Sequence, residues 1–255
     1  MEFRGIMGGL YRLTEWITRL AAINLLGLLA SFLFFWVVLA GLNTPEMWAM
    51  TLLLLAVLAP FTLLPSMAAM FSVVRKWVMG DEDVPLFKTF FKGYKENYLQ
   101  SMLGGLTFVL LAIVVFVNYK FYAAQSGTFH FLSYLFLALG FILTAAIINF
   151  VSITVHLHMK VRHIVKNALL ITVGNPLNAF SLIVVNALIT YIGVKFPPLI
   201  LFFAGSVMAT YSFWMFYRNF LKIRQKQEKM AQALAEQEKE DKAEELSVKQ
   251  TPNKA

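Results

Sequence analysis

The sequence predicts an all-α polytopic membrane protein. It reads as a bundle of about six transmembrane helices with both termini cytoplasmic and with amphipathic helices lying at the interface. Three observations predict this. Of 255 residues, 59% are hydrophobic and 14% charged, with mean hydropathy +0.67. An ordinary soluble domain carries roughly 25% charged residues, so that balance excludes soluble globular, disordered and fibrous chains. The apolar stretches are continuous over about 20 residues and do not alternate, which selects helices over barrel strands. Finally, the basic residues are one-sided: of the 22 Lys and Arg, only Lys120 and Lys195 fall on the side opposite the rest. The positive-inside rule puts the crowded side in the cytoplasm, and an even span count then returns the C-terminus to the side of the N-terminus.

The elements follow in order. Residues 1–20 carry Phe3, Ile6, Met7, Leu10, Leu13, Trp16, Ile17 and Leu20 at spacings of three and four, with Arg4, Arg12, Glu15 and Arg19 expected on the other side. This is the pattern of an amphipathic helix lying in the interface. Residues 21–217 hold the spans, expected at about 21–42, 47–74, 101–119, 131–155, 177–194 and 198–216. The first span is too long for the apolar core of a signal peptide and reads as retained. Span two contains Pro60 and Pro65, a candidate kink where prolines free backbone carbonyls. Between spans two and three, Asp81, Glu82 and Asp83 precede Pro85, which suits a helix start. A second interfacial helix is expected over 84–99. There Phe87, Phe90, Phe91, Tyr94 and Tyr98 form an aromatic stripe, and Lys88, Lys92 and Lys95 are expected on the opposite side. Phe87, Phe91, Tyr94, Lys88, Lys92 and Lys95 are thus a candidate partner-docking helix, set against a plain elbow returning the chain to span three. Residues 218–255 turn abruptly to Lys, Gln, Glu and Ala, the composition of a charged helical tail that frays near Thr251 and Pro252.

Little in the sequence points to chemistry. With no cysteine, thiolate nucleophiles, disulfides and Cys-based metal sites are excluded. None of the 14 acids falls within an expected span. Ion-coupled carriers keep ionisable groups there, so this weighs against ion coupling. Inside the spans the polar residues are amides and hydroxyls, among them Asn24, Asn149, Asn186, Ser152 and Thr154, suited to interhelical hydrogen bonds. His156 and His163 are seven apart and lack a carboxylate at ligand spacing, so no metal is expected. Lys160, Arg162, His163 and Lys166 form a candidate lipid-phosphate patch after span four. No phosphate loop, nucleophile elbow or zincin motif occurs. No cofactor and no nucleic acid partner is expected; the positive charge is assigned to lipid.

One resemblance can be read from ordered residues. Leu64-Pro65-Ser66-Met67-Ala68-Ala69, then Val74-Arg75-Lys76-Trp77 and Gly80, resembles a stretch of the YesL-like family. The likeness continues through Phe87, Phe90-Phe91, Tyr94-Lys95, Asn97-Tyr98 and Gln100. It begins earlier, at Gly9-Leu10-Tyr11-Arg12, Trp16 and Asn24-Leu25-Leu26. Where the family commonly follows that last run with tryptophan, this chain has Gly27. These are small bacterial integral membrane proteins of unknown activity, often linked to carbohydrate uptake and saccharide degradation. The resemblance therefore implies a bacterial plasma-membrane protein without known catalytic residues.

Three expectations compete. The favoured one is a non-enzymatic accessory or regulatory component of carbohydrate uptake, with the bilayer and carbohydrate ABC transporter subunits as partners. The chain lacks the coupling loop of a permease, so it is not expected to be that subunit itself. Its alternative is a small-solute transporter acting on its own. A membrane enzyme using Asp81, Asp83, His156 and His163 is the third.

Overall fold

A computed structural model describes residues 6–250, with side chains described for residues 8–234 and 237. Phe3, Arg4, Thr251 and Pro252, and the side chains of Ile6 and Met7, lie outside what is described. The helices are α1 (Ile6–Ala30), α2 (Phe32–Asn43), α3 (Trp48–Leu58), α4 (Leu64–Val78), α5 (Leu86–Ala123), α6 (Phe131–His156), α7 (Val161–Gly174), α8 (Pro176–Lys195), α9 (Pro197–Leu199) and α10 (Gly205–Gln250). No strand occurs among the described residues. Six helical stretches among them are long and apolar enough to cross a membrane: Gly8–Ala30, Pro45–Val78, Leu86–Ala123, Gly127–His156, Pro176–Lys195 and Pro197–Leu234. The fold is therefore an all-α bundle of a multi-pass membrane protein.

Two boundaries differ from the sequence reading. The first helix does not stop near residue 20. It runs unbroken to Ala30, and the break comes at Ser31, inside the expected first span. The cause is local: the Gly27 carbonyl accepts the Ser31 N–H (3.1 Å), the Ser31 hydroxyl (2.6 Å) and the Ser66 hydroxyl from α4 (2.7 Å). Hydroxyls bonding back to the carbonyl four residues earlier bend helices. The second difference is that residues 84–99 are not a separate interfacial helix. From Leu86 they are the opening turns of α5, which continues to Ala123 as one 38-residue helix.

Burial is uneven within the compact unit formed by residues 1–214. It concentrates on α4, the first half of α5, the last turns of α6 and the inner face of α7, with Phe71, Val73, Phe90, Phe108, Phe150 and Ile164 enclosed. Glycines allow the approach. A Cβ at Gly104 would collide with the buried Phe150 ring, and one at Gly93 with Ser72. By contrast α3 buries no residue, and α2 buries only Gly41.

Prolines shape two stretches. Pro60 is buried in a π-helical turn (Ala59–Leu63) before α4, and Pro65 lies in the first turn of α4. A second π-helical turn, Ile200–Ala204, precedes α10. Its loosened ladder is completed from α1: Asn24 Nδ2 donates to the carbonyls of Ile200 (2.9 Å) and Leu201 (2.7 Å), and the Ser206 N–H donates to Asn24 Oδ1 (3.0 Å). Every hydrogen-bonding group of this buried amide that the π-turn can reach is used, which is what a polar side chain in hydrocarbon needs.

From Met215 onward the described residues form a second unit. Within it Phe216 and Phe220 stack at 6.0 Å, Arg224 approaches Glu228 at 4.0 Å, and Met230 and Leu234 are exposed.

Candidate interaction surface at the basic end of the bundle

The end of α4 sets up this surface. Gly80 has φ +97°, a left-handed conformation that glycine adopts without penalty. The Gly80 N–H donates to the Trp77 carbonyl (3.1 Å) and the Asp81 N–H to the Lys76 carbonyl (2.9 Å), the paired bonds of a Schellman stop. The chain then turns through residues 81–85 into α5, with Pro85 as the N-cap rather than the first helical residue.

Arg19 ties this turn to α1. Its guanidinium donates to the Glu82 carbonyl, to the Glu15 carboxylate, and to Asp83 Oδ1 at 3.1 Å. It also lies 5.8 Å from the Trp16 ring centre. Trp16 in turn meets Trp77 edge-on at 5.3 Å. Glu15 and Arg19 therefore face protein, while Leu10, Leu13 and Ile17 are turned outward. Arg75 donates to the Val155 carbonyl at the end of α6 (2.9 Å), and Gln100 to the Met159 carbonyl (3.2 Å). The ends of α4 and α6 and the turn before α7 thus meet at one end of the bundle.

On this frame the opening turns of α5 split into two faces. Thr89, Phe90 and Gly93 are buried. Phe87 and Phe91 are exposed, about 60% in each case, and Lys88, Lys92 and Lys95 are exposed with them. Tyr94 is half-buried, 5.6 Å from Tyr98. The lysines thus do not oppose the aromatics. At about 100° per residue, Lys88, Lys92 and Lys95 fall beside Phe87 and Phe91 and make one mixed aromatic and basic strip. Lys92 approaches Glu96 at 3.8 Å. The uniform aromatic stripe expected from spacing fails because Phe90, at one edge of it, fills the core.

The patch after α6 lies on α7. Lys160 caps this helix with extended backbone, and Lys160, Arg162, His163 and Lys166 are all exposed. Ile164, Val165, Ala168 and Thr172 turn inward, and Thr172 accepts from Asn149 of α6 at 2.9 Å. The sequence reading gave this stretch only as a charged patch after span four; in the structure it is a 14-residue helix whose buried positions recur at three and four.

The proposed acid and histidine set does not converge. Asp83 is held by Arg19, Asp81 lies 3.9 Å from Lys76, and His163 is on the exposed face of α7. His156 is at the end of α6, its ring 6.0 Å from that of Phe213. Among the described residues no three His, Asp or Glu groups come together as a metal site.

Several residues that carried the resemblance make structural contacts. Trp16 touches Trp77, Ser66 bonds Gly27, Gly80 stops α4, and Asn97 donates to Ser72 Oγ (3.3 Å). Gly27 has its own reason: the space a side chain would take there is filled by Met70 Cε. These motif residues therefore encode how α1, α4 and α5 pack.

Comparison with known proteins agrees. Residues 16–119 match the family described as protein of unknown function, DUF624. The uncharacterized protein YteU of Bacillus subtilis (strain 168) is 28% identical over 225 residues, 88% of this chain and 91% of YteU. The uncharacterized proteins YesV and YesL of the same organism are 30% and 27% identical over 177 and 233 residues. These alignments cover 69% and 90% of this chain, and 84% of YesV and 98% of YesL. No solved structure matches.

Proposed function

The chain belongs to the YesL-like family of unknown function, DUF624, and from that premise we propose that it is a non-enzymatic accessory or regulatory component of carbohydrate uptake in a bacterial plasma membrane, with both termini cytoplasmic. The observation that carries the reading is the opening of α5. Phe87 and Phe91 stand exposed beside Lys88, Lys92 and Lys95 on a helix end anchored by Phe90 and Gly93. Aromatic side chains next to cations on a rigid element suit a docking surface for a protein partner. The basic excess at this end supports the cytoplasmic orientation. Amides and hydroxyls inside the spans, Asn24, Asn149 and Asn186 among them, are engaged within the fold, which favours a scaffold over a solute path.

Its test is recovery of the tagged full chain, gently solubilised from its native host. ABC transporter subunits co-purifying stoichiometrically with the wild type, and lost when Phe87 and Phe91 are both changed to Ala, are the expected result. Recovery of the wild-type chain alone sinks the reading and makes solute flux in proteoliposomes the next measurement.

A further inference from the structure

No Asp or Glu occurs between Glu96 and Glu228, a stretch that includes α6, α7 and α8. Three basic groups around α1, α4 and α5 have acids beside them: Arg19 has Glu15 and Asp83, Lys76 has Asp81, and Lys92 has Glu96. Lys160, Arg162 and Lys166 have none in that stretch, and among the described residues no ion pair involves them. They also crowd the start of α7, where the helix dipole is itself positive and basic side chains are disfavoured unless an anion is supplied.

The rest of the same strip is apolar. Arg162, His163, Lys166, Leu170 and Val173 fall within about 100° of arc, and all five are exposed. Over roughly 16 Å of helix the strip passes from cationic to hydrocarbon. This segment joins two membrane-crossing helices, Gly127–His156 and Pro176–Lys195, so it lies at a membrane surface.

We propose that the exposed strip of α7 is a binding site for an anionic phospholipid, its phosphate held by Lys160, Arg162 and Lys166 and its acyl chain lying along Leu170 and Val173. The polarity of the strip matches the polarity of that molecule end for end. His163 adds a ring N–H donor at the phosphate end. A free phosphate would use only the cationic end and leave Leu170 and Val173 without a role.

The test uses the full chain in mild detergent, offered phosphatidylglycerol and phosphatidylcholine together, with bound lipid read by native mass spectrometry. Wild type is expected to favour phosphatidylglycerol by about tenfold. The K160Q/R162Q/K166Q variant, changed only at exposed positions, is expected to fall within about twofold of no preference. The K88Q/K92Q/K95Q variant keeps the preference. Equal loss in both variants would mean generic charge attraction and overturn the site. On the wild type, which needs no variant to fold, millimolar inorganic phosphate is expected to leave bound phosphatidylglycerol in place. Displacement would reassign the patch to a free anion. Retained lipid preference in the α7 variant, with loss of a co-purifying protein, would reassign it to an acidic protein partner.

Discussion

The end of the bundle that gathers Trp16, Arg19 and the starts of α5 and α7 is built differently from the end that holds α2, α3 and the far turns of α5 and α6. At the basic end small residues let helices touch, and polar side chains cross between them: Ser66 to Gly27, Arg75 to Val155, Asn149 to Thr172. At the other end the helices are apolar on nearly all sides and largely exposed. An open apolar cavity of about 440 Å³ lies between the far turns of α5 and α6, lined by Val115, Phe116, Tyr119, Phe136, Gly140 and Thr144. The contacts there are few, such as Tyr122 stacked on Phe136 at 5.5 Å and Gly41 close against Thr51. The lesson concerns solvent. In water the apolar end would collapse. In lipid, exposed leucine costs nothing, so close packing arises only where backbones can approach or polar groups pair.

The sharpest way to break the comparison is a matched pair of glycine substitutions. Gly104→Leu drives a side chain into Phe150, which is fully buried against Phe108 and cannot give way. A loss of about 3 kcal/mol or more is expected, read as failure to recover monodisperse protein or as a large fall in melting temperature. Gly140→Leu, beside the cavity, has room and is expected to be nearly neutral. Equal losses would mean the two ends pack alike.

A second pair compares amides. Asn24→Leu removes three hydrogen bonds and strands the backbone groups of the π-turn, an expected loss of about 1–3 kcal/mol in thermal unfolding. Asn118→Leu removes only a bond to Val114 within its own helix, so little change is expected. Smaller still is Arg19→Gln, about 1 kcal/mol, with the difference from wild type shrinking at high salt because Asp83 is solvent-exposed. The smallest expected effect is Gly41→Val. It wedges α2 from α3, yet both helices bury so little that the global melting temperature should move by no more than a few degrees.

Much of the fold was legible because hydropathy reports lipid exposure directly. The six helices long and apolar enough to cross a membrane needed nothing more. What composition could not report was where one helix passes into the next. The run through Trp16 to Leu20 is amphipathic, but it continues into the span without a break because Arg19 and Glu15 are satisfied by protein. Ser31 breaks the helix through hydroxyl bonds that only the approach of α4 completes. The candidate surface was half legible. The residue types on α5 were right, whereas their division into faces depended on Phe90 filling a space between helices. On α7 the cationic residues were visible in sequence, but the helix that aligns them with Leu170 and Val173 was not.

The length of α5 has a mechanical consequence. Its 38 residues rise about 57 Å as a single rod, nearly twice the hydrocarbon thickness of a bilayer. Phe87 sits at one tip and Ala123 at the other, with no break between them to absorb a rotation. Buried Phe90, Gly93, Gly104 and Phe108 hold its first half, so a tilt of about 5° about Phe108 moves the far tip by only roughly 2 Å. The loosely packed turns beside the cavity are the part of the bundle with room for that movement.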